Sequence, residues 1–173
     1  MKKDFIMPII VLPLICLVVS GALTVVNHFT EPVIISAANE RAEAARRDII
    51  PQADGFELIE SDDFPRTIAA AYRTTNDAGF IFMINTAGYG GEISLICGIS
   101  PDGIIIKTAT LAQMETKGLA TPVFEKAHED QYTGKDKELI GITAVTGATI
   151  SSTAYKNAVR DAFAAYETVR TQR

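Results

Sequence analysis

The chain has 173 residues, which is enough for one small globular domain with an accessory element and too few for two full domains. Its formal net charge is −5, and no basic run is interleaved with aromatic residues, so we predict no nucleic-acid partner. The two cysteines, Cys16 and Cys97, are not expected to pair, because Cys16 lies inside a long apolar run. The two histidines have no cysteine or histidine neighbours at metal-ligand spacing, so no metal site is predicted, and His128 is expected to be exposed on a helix.

The first predicted element is a transmembrane helix. No charged residue occurs from Phe5 to Val26, and at about 1.5 Å per residue this run spans a hydrocarbon core of roughly 30 Å. The alternative is a cleaved signal peptide with Lys2 and Lys3 as its basic region, but the apolar run is longer than a usual signal core. We therefore predict that residues 1–31 form an uncleaved anchor in contact with membrane lipid.

The positive charges near this helix bear on its orientation. Lys2 and Lys3 favour a cytoplasmic N-terminus, whereas Arg41, Arg46 and Arg47 follow the helix closely enough to weaken the asymmetry. Long hydrophilic domains are exported largely regardless of such charges. We expect a single-pass protein of the inner (cytoplasmic) membrane, with a cytoplasmic N-terminus and an extracytoplasmic folded domain.

The soluble part begins with a helix and continues with strands. The stretch Val33–Ile49 has small and apolar residues at roughly helical spacing and Pro51 should end it, so residues 32–60 are predicted to be an amphipathic helix and a connector. Residues 61–173 are predicted to form the folded domain. Short turns separate four predicted strands, which favours antiparallel pairing: Thr67–Thr74, Gly79–Thr86, Glu92–Ile99 and Ile104–Leu111.

The C-terminal part is predicted to be mostly helical. Thr121 before Pro122 predicts a helix that is capped by a hydroxyl group and runs to about His128, and a short strand Leu139–Ala144 should follow. The predicted fold class is therefore α+β: a small, mainly antiparallel sheet covered by helices, behind a single N-terminal transmembrane helix. The last helix has one apolar face, formed by Tyr155, Val159, Ala162, Phe163, Tyr166 and Val169.

The segment 141–152 is rich in hydroxyl residues and contains two glycines, between a predicted strand and the start of the last helix. Small residues let a phosphate approach the backbone, and the free N–H groups of a helix start favour a negative charge. The alternative is that Thr146, Thr149 or Ser151 only caps the last helix. On composition alone, the capping interpretation is favoured.

Thr146-Gly147-Ala148-Thr149 resembles the flavinylation motif of the FMN-binding domain family, [Ser/Thr]-Gly-Ala-[Ser/Thr]. In that family the final threonine carries FMN through a phosphoester bond that a separate, ApbE-like flavin transferase forms from FAD. The resemblance implies that Thr149 is the covalent acceptor and that Thr146, Gly147, Ala148 and Ser151 surround the cofactor. No base lies near Thr149 in the sequence, so activation of its hydroxyl by an external enzyme is expected.

The similarity extends along most of the chain, in the order found in the G subunits of Rnf-type ion-pumping redox complexes. The length of the chain also suits those proteins better than the longer, related C subunits of sodium-pumping NADH:quinone reductases. After the N-terminal membrane helix, the matching segments are Ile49-Ile50-Pro51, Gly88-Tyr89-Gly90-Gly91, Pro101-Asp102-Gly103, Glu115-Thr116-Lys117-Gly118-Leu119-Ala120, Phe124 onward to Tyr132-Thr133-Gly134-Lys135, and the flavinylation motif.

The resemblance also implies contacts with the ring of the flavin. Glu115, Thr116, Gly118 and Leu119 are expected to pack on the isoalloxazine, although without the resemblance they would be interpreted as a polar loop. Tyr89 either contacts the flavin or belongs to an ordinary hairpin turn.

The chain departs from the family pattern at three positions. Thr143 stands where the family usually has Asp, six residues before the acceptor, and Lys117 and Ala120 replace the usual Pro and Gly. Lys117 either places a positive charge near the flavin, which would favour its anionic reduced forms, or is a solvated lysine, and the solvated interpretation is favoured.

The function implied by the resemblance is electron transfer. In Rnf-type complexes, electrons pass between ferredoxin and NAD and drive Na⁺ or H⁺ across the membrane, and the G subunit supplies one flavin. The implied partners are the other membrane and redox subunits and the flavin transferase, and no catalytic residue is expected, since the flavin itself exchanges electrons. Two alternatives stay open: a flavin carrier of another extracytoplasmic respiratory chain, and a membrane-anchored binding or scaffold domain without flavin.

Overall fold

The computed structural model describes residues 2–116 and 118–171, with side chains described except at residues 2–10 and 32–39. The first element, α1, is continuous from Lys2 to Ile49. Its segment Val11–Glu31 is long and apolar enough to cross a membrane, and the side chains of that segment are exposed. The chain divides into two compact units, Met1–Glu43 and Ala44–Arg173, which are described separately. The predicted boundaries at residues 31 and 60 stay a prediction.

The C-terminal turns of α1 belong to the folded unit. The helix ends at Ile49, before Pro51 as predicted, because the residue before a proline is driven out of the helical conformation. Ile49 and Ile50 are fully buried. Arg46 is half-buried, and its guanidinium lies 4.4 Å from the ring centroid of Tyr72. A cation over an aromatic face at this distance is attracted to the ring, which fastens the helix end to the sheet.

The sheet has five antiparallel strands in the order β1-β2-β3-β4-β5. The four predicted strands are confirmed, with bounds within two residues of the prediction. The first strand was missed, because it has only four residues and its burial does not alternate. Its extended conformation is fixed by pairing with the second strand. The strands are β1 Phe56–Ile59, β2 Ile68–Thr74, β3 Phe80–Ala87, β4 Glu92–Ile99 and β5 Ile105–Gln113.

Side chains of the central strands alternate between two cores, because successive residues of a strand point to opposite faces. In β3, Phe80, Phe82 and Ile84 belong to the larger core and Ile81 to the smaller one. The smaller core also contains Ile96, together with Ile49, Ile50 and Ala53 from the end of α1 and its connector.

The last helix, α3, runs from Thr149 to Thr171 and packs on the larger core. All the residues of its predicted apolar face are buried, so that prediction is confirmed. Two hydrogen bonds add to the packing: the Tyr166 hydroxyl donates to the Pro101 carbonyl at 2.7 Å, and the Thr67 hydroxyl donates to the Asp161 carboxylate at 2.7 Å. The middle and C-terminal turns of α3 are thereby held against the residue before β2 and the turn between β4 and β5.

The segment between β5 and α3 differs from the prediction in its helices. A 3-10 helix, Thr121–Phe124, is followed by the short α2, Lys126–Glu129, and the extended backbone of Glu125 separates them. Thr121 is not the cap, since Ala120 occupies that position, and the Thr121 hydroxyl instead accepts the N–H of Gly118 at 2.9 Å.

The predicted strand Leu139–Ala144 is wrong. Leu139 and Gly141 have φ angles of 50° and 85°, which are incompatible with an extended strand. The N–H and the hydroxyl of Thr143 both donate to Gln131 Oε1 at 2.9 Å, so this loop is fastened to the α2 region rather than to the sheet.

His128 is buried rather than exposed, which corrects the prediction from the sequence. Its ring packs edge-on against Tyr132 and Tyr155, with 5.6 Å between the centroids in both cases. The two ring nitrogens of His128 and the hydroxyls of Tyr132 and Tyr155 have no hydrogen-bond partner in the described part of the chain. These three residues form a buried polar cluster beneath α3.

Candidate functional site

A cleft of about 370 Å³ opens at the N-terminus of α3. Its volume lies within the range of small-molecule sites, roughly 300–1,000 Å³. Three segments that are distant in the sequence meet there: the turn between β3 and β4, the loop after β5, and the start of α3. The cleft is lined by Tyr89, Glu115, Thr116, Leu119, Ala120, Gly147, Ala148, Thr149, Ile150 and Ser151.

Thr149 is the first residue of α3 and its side chain is exposed at the edge of the cleft. The first N–H groups of a helix have no acceptor within the helix, and they carry the positive end of its dipole. Thr149 and Ile150 also border a second cleft of about 380 Å³, lined in addition by polar residues such as Thr153 and Asn157. The Thr149 hydroxyl is therefore accessible from solvent and stands where a negative charge is stabilised.

The residues before Thr149 form a tight turn that only glycine allows. Gly147 has a φ angle of 82°, and a Cβ atom there would stand 3.2 Å from Leu119 Cδ1. The N–H of Ala148 donates to the Val145 carbonyl at 3.0 Å. The N–H of Val145 in turn donates to the hydroxyl of Ser152 at 3.0 Å. Ser152 therefore braces the turn, a role that the sequence analysis did not assign to it.

Glu115 forms the opposite wall of the cleft. It is 7% exposed, and its carboxylate accepts the N–H of Tyr89 at 2.6 Å and the N–H of Gly90 at 3.0 Å. Its own N–H donates to Gln113 Oε1 at 2.6 Å. A Cβ atom at Gly88 would collide with the Glu115 carboxylate. The turn between β3 and β4 is therefore packed directly on this buried carboxylate.

The loop after β5 supplies the apolar side of the cleft. Leu119 is 57% exposed and lines the cleft together with the buried Ala120. Gly118 has a φ angle of 89°, which again favours glycine. Lys117 lies outside the described residues.

The structure brings most of the predicted site residues into one cleft. Thr146 and Gly118 are adjacent in sequence to its lining residues but do not line it themselves. The prediction omitted Ala120 and Ile150, which do line it. Ile150 could have been found from the sequence, because it is a large apolar residue directly after Thr149 that does not belong to the apolar face of α3.

The groups whose pKa values are shifted lie in the core and not in the cleft. Burial raises the pKa of the Cys97 thiol to about 12, so this cysteine is an unreactive core residue. Burial raises the pKa of the Glu129 carboxyl, against the opposing effect of the Thr110 hydroxyl and N–H that donate to it. Burial lowers the pKa of His128, against a smaller opposing effect of the Val123 backbone. These groups affect the stability of the fold, and none of them lines the cleft.

Comparison with known proteins assigns a family to this arrangement. Residues 88–164 match the family model described as the FMN-binding domain, and this span includes all the lining residues of the cleft. The chain is 26% identical to the G subunit of the Na(+)-translocating ferredoxin:NAD(+) oxidoreductase complex of Acetobacterium woodii, over 91% of this chain and 89% of that protein. It is 24% identical to the G subunit of the proton-translocating ferredoxin:NAD(+) oxidoreductase complex of Clostridium ljungdahlii, over 87% and 85%.

A third relative is the G subunit of the ion-translocating oxidoreductase complex of Methanosarcina acetivorans, with 27% identity over 93% of this chain and 94% of that protein. The alignments cover most of the length of both partners and therefore at least part of α1. Residues 88–164 are thus similar to the FMN-binding domain, and the chain is similar over most of its length to the G subunits of ion-translocating oxidoreductase complexes.

Proposed function

We propose that the chain is a membrane-anchored electron-transfer subunit that carries FMN covalently on Thr149, in an Rnf-type ferredoxin:NAD oxidoreductase complex. The observation that carries this proposal is the position of Thr149. Its exposed hydroxyl stands at the start of a long helix and at the edge of an apolar cleft, inside the matched FMN-binding domain.

The phosphate end of FMN fits the start of α3. A phosphodiester keeps one negative charge, and the N–H groups of the first helical turn stabilise such a charge. Formation of the ester from FAD would join Thr149 Oγ1 to the phosphorus of the FMN half, break the pyrophosphate bond and release AMP. Among the described residues that line either cleft, Glu115 is the only histidine or carboxylate residue. Its carboxylate already accepts two backbone N–H groups. A separate flavin transferase therefore supplies the base that takes the proton.

The ring end of FMN fits the apolar lining of the cleft. Tyr89, Leu119 and Ile150 are exposed for 71%, 57% and 57% of their surfaces, which is unusual for three large apolar side chains that border one cleft. A flat isoalloxazine would cover part of this surface. FMN supplies the electron exchange when it is bound, and these residues hold it in place and exclude water.

The relatives and the apolar helix extend the proposal to the whole complex. The G subunits named above belong to ion-translocating oxidoreductase complexes, and α1 contains one candidate membrane span. We place α1 in the inner membrane with its N-terminus in the cytoplasm and the FMN-binding domain on the extracytoplasmic side. There, covalent attachment would keep a cofactor that could not be replaced after dissociation. The other membrane and redox subunits of the complex and the flavin transferase are the proposed partners.

The test is co-expression of the full chain with its flavin transferase. The chain should show flavin fluorescence after denaturing electrophoresis and a mass increased by that of FMN less one water. Thr149→Ala should abolish both signals. Thr153→Ala is the matched control, because its exposed hydroxyl lies about one turn after Thr149 on α3, outside the Thr146–Thr149 motif and not among the residues that line the cleft.

Loss of the signals in Thr153→Ala but not in Thr149→Ala would overturn the assignment of the acceptor. A colourless wild-type chain would overturn the flavoprotein function and favour a binding or scaffold domain. Purification of the flavinylated chain with the membrane subunits of another respiratory system would replace the Rnf-type complex with that system.

A further inference from the structure

We propose that Glu115 is a positioning residue for the flavin site: its carboxylate clamps the turn Gly88–Gly91 and thereby holds the ring of Tyr89 against the flavin. This inference rests on the proposed function for its flavin-dependent part. It assigns to Glu115 an action through Tyr89, in place of direct contact with the cofactor.

The clamp consists of hydrogen bonds to both oxygens of one buried carboxylate. Tyr89 N–H donates to Oε1 at 2.6 Å and Gly90 N–H donates to Oε2 at 3.0 Å. Hydrogen bonds to a charged acceptor are about twice as strong as those between neutral groups, and a buried carboxylate needs such partners. Two consecutive N–H groups of the turn are therefore fixed by Glu115.

Glu115 is itself held from the sheet side. Its N–H donates to Gln113 Oε1 at 2.6 Å, and the N–H of the preceding Met114 donates to the Glu92 carbonyl at 3.1 Å. Gln113 is the last residue of β5 and Glu92 the first of β4. The backbone that carries Glu115 is thus tied to two strand ends, and a residue with such support can position its partner accurately.

The glycines of the turn are required by the clamp. A Cβ atom at Gly88 would collide with the Glu115 carboxylate, and one at Gly90 would stand 3.4 Å from its Oε2 and 3.3 Å from its Cα. The N–H of Gly88 also donates to the Gly91 carbonyl at 2.7 Å, which closes the turn. The two sequence segments, Gly88–Gly91 and the loop that begins at Glu115, are therefore parts of one structure.

The clamp places an aromatic ring at the cleft. Tyr89 carries the first of the two fixed N–H groups, is 71% exposed and lines the cleft, so no core packing holds its ring. Its position depends on the backbone of the turn, and hence on Glu115. Stacking against a flavin ring would give Tyr89 the partner that it lacks among the protein side chains.

The first arm of the test needs no flavin. Hydrogen exchange of the backbone N–H groups of Tyr89 and Gly90 is measured in full-length Thr149→Ala protein in detergent, with and without Glu115→Gln. The glutamine can accept only one of the two N–H groups and turns its own NH2 group toward the other. Exchange at the turn should accelerate about tenfold or more. The N–H of Gly79, which donates to the Thr74 hydroxyl at 3.0 Å, is the control and should be unchanged.

The second arm uses the flavinylated chain in a double-mutant cycle of Glu115→Gln and Tyr89→Ala. A tyrosine in contact with a flavin quenches its fluorescence, because the phenol transfers an electron to the excited ring. Each single variant should lengthen the flavin fluorescence lifetime, and Glu115→Gln should add nothing once Tyr89 is absent. A purely structural role of Glu115 would not give this dependence on Tyr89.

Unchanged exchange at Tyr89 and Gly90 would overturn the clamp, whether or not flavin is attached. If Glu115→Gln lengthened the fluorescence lifetime equally with Tyr89 present and with Tyr89→Ala, the action through Tyr89 would be overturned. Absence of flavin on the wild-type chain would overturn the proposed function and the flavin-dependent part, and the exchange arm would still decide the clamp.

Discussion

The two faces of the sheet are covered in different ways. One face carries α3 and a large core with several aromatic rings, and the functional cleft opens at the end of that helix. The other face carries a small core, in which Ile49 and Ile50 lie over Gly98 and share one cluster with Ile81 and Ile96. The larger face therefore supports the site, whereas the smaller face joins the sheet to the end of α1. Changes on the two faces should affect stability and flavin attachment differently.

The largest effect is expected for Tyr155→Ala on the larger face. Tyr155 is fully buried, and its ring centroid lies 5.1 Å from that of Tyr132. Loss of a buried aromatic ring leaves a cavity and should lower the free energy of unfolding by about 3–5 kcal/mol. Because Tyr155 lies less than two turns after Thr149 on α3, flavin attachment should also decrease. Urea unfolding of the full chain in detergent measures the first effect and in-gel fluorescence the second.

Tyr89→Ala is the control for this variant, since Tyr89 is 71% exposed and its loss should change stability by no more than about 0.5 kcal/mol. Equal destabilisation by the two substitutions would contradict the assignment of the core to the larger face.

A smaller effect is expected for Gly98→Val on the smaller face. A Cβ atom at Gly98 would collide with Cγ2 of Ile49 and lie 3.6 Å from Cγ1 of Ile50. Overpacking of this kind should lower the free energy of unfolding by about 1–3 kcal/mol. Flavin attachment to the chain that stays folded should be unchanged, because the cleft lies at the other face.

Ile49→Ala provides the matched second variant. Combined with Gly98→Val it should lose less stability than the sum of the two single variants, because the alanine makes room for the valine. Additive losses would mean that the helix end does not pack on Gly98.

The comparison of the two faces also shows what a sequence can reveal. The apolar runs of β3 and β4 between turns and the helical spacing in α3 are local patterns, so these three elements and the buried side of α3 were predictable. The strand β1 was missed, because four residues carry too little pattern and pairing with β2 decides their conformation. Leu139–Ala144 has the composition of a strand, yet positive φ angles at Leu139 and Gly141 turn it into a loop.

The site was predictable in a different sense. The resemblance named residues from three segments, and the structure gathers most of them in one cleft. Their roles depend on contacts between residues far apart in the chain. The bonds from Tyr89 and Gly90 to Glu115 cross about 25 positions, and no local pattern indicates them. The burial of His128 likewise depends on Tyr132 and Tyr155, which lie on different elements.

An effect of pH on stability is expected at the buried polar cluster of the larger face. Burial lowers the pKa of His128 below its ordinary value of 6.5. Above pH 6.5, His128 is neutral in both the folded and the unfolded chain, so its protonation does not change the free energy of unfolding. As the pH falls below 6.5, His128 binds a proton in the unfolded chain but not in the folded chain. The free energy of unfolding therefore falls, by at most about 1.4 kcal/mol for each unit by which the pKa of His128 differs between the two states.

The protonation of Glu129 changes the free energy of unfolding in the opposite direction. Burial raises its pKa above 4.5, so the folded chain takes up a proton first and stability rises as the pH falls toward 4.5. The two effects partly cancel in the native chain between pH 6.5 and 4.5. Glu129→Gln keeps an oxygen for the Thr110 donors but cannot titrate, so it should lose stability more steeply from pH 7 to pH 5 than the native chain. Urea unfolding at several pH values measures both slopes, and identical slopes would contradict the opposing signs.

The smallest effect is expected for Tyr155→Phe, which removes only a hydroxyl from the larger face. That hydroxyl is buried, without a hydrogen-bond partner among the described residues. Removing an unsatisfied buried polar group is nearly neutral or stabilising, since the cost of its desolvation disappears with it. The free energy of unfolding should therefore stay the same or rise by up to about 1 kcal/mol, in contrast to the loss in Tyr155→Ala. A loss of more than about 1 kcal/mol would show instead that the hydroxyl is satisfied, and a buried water shared with His128 and Tyr132 would be the partner with the right chemistry. In that case the polar groups in the core of the larger face would stabilise the fold through hydrogen bonds, and would not destabilise it as unpaired groups.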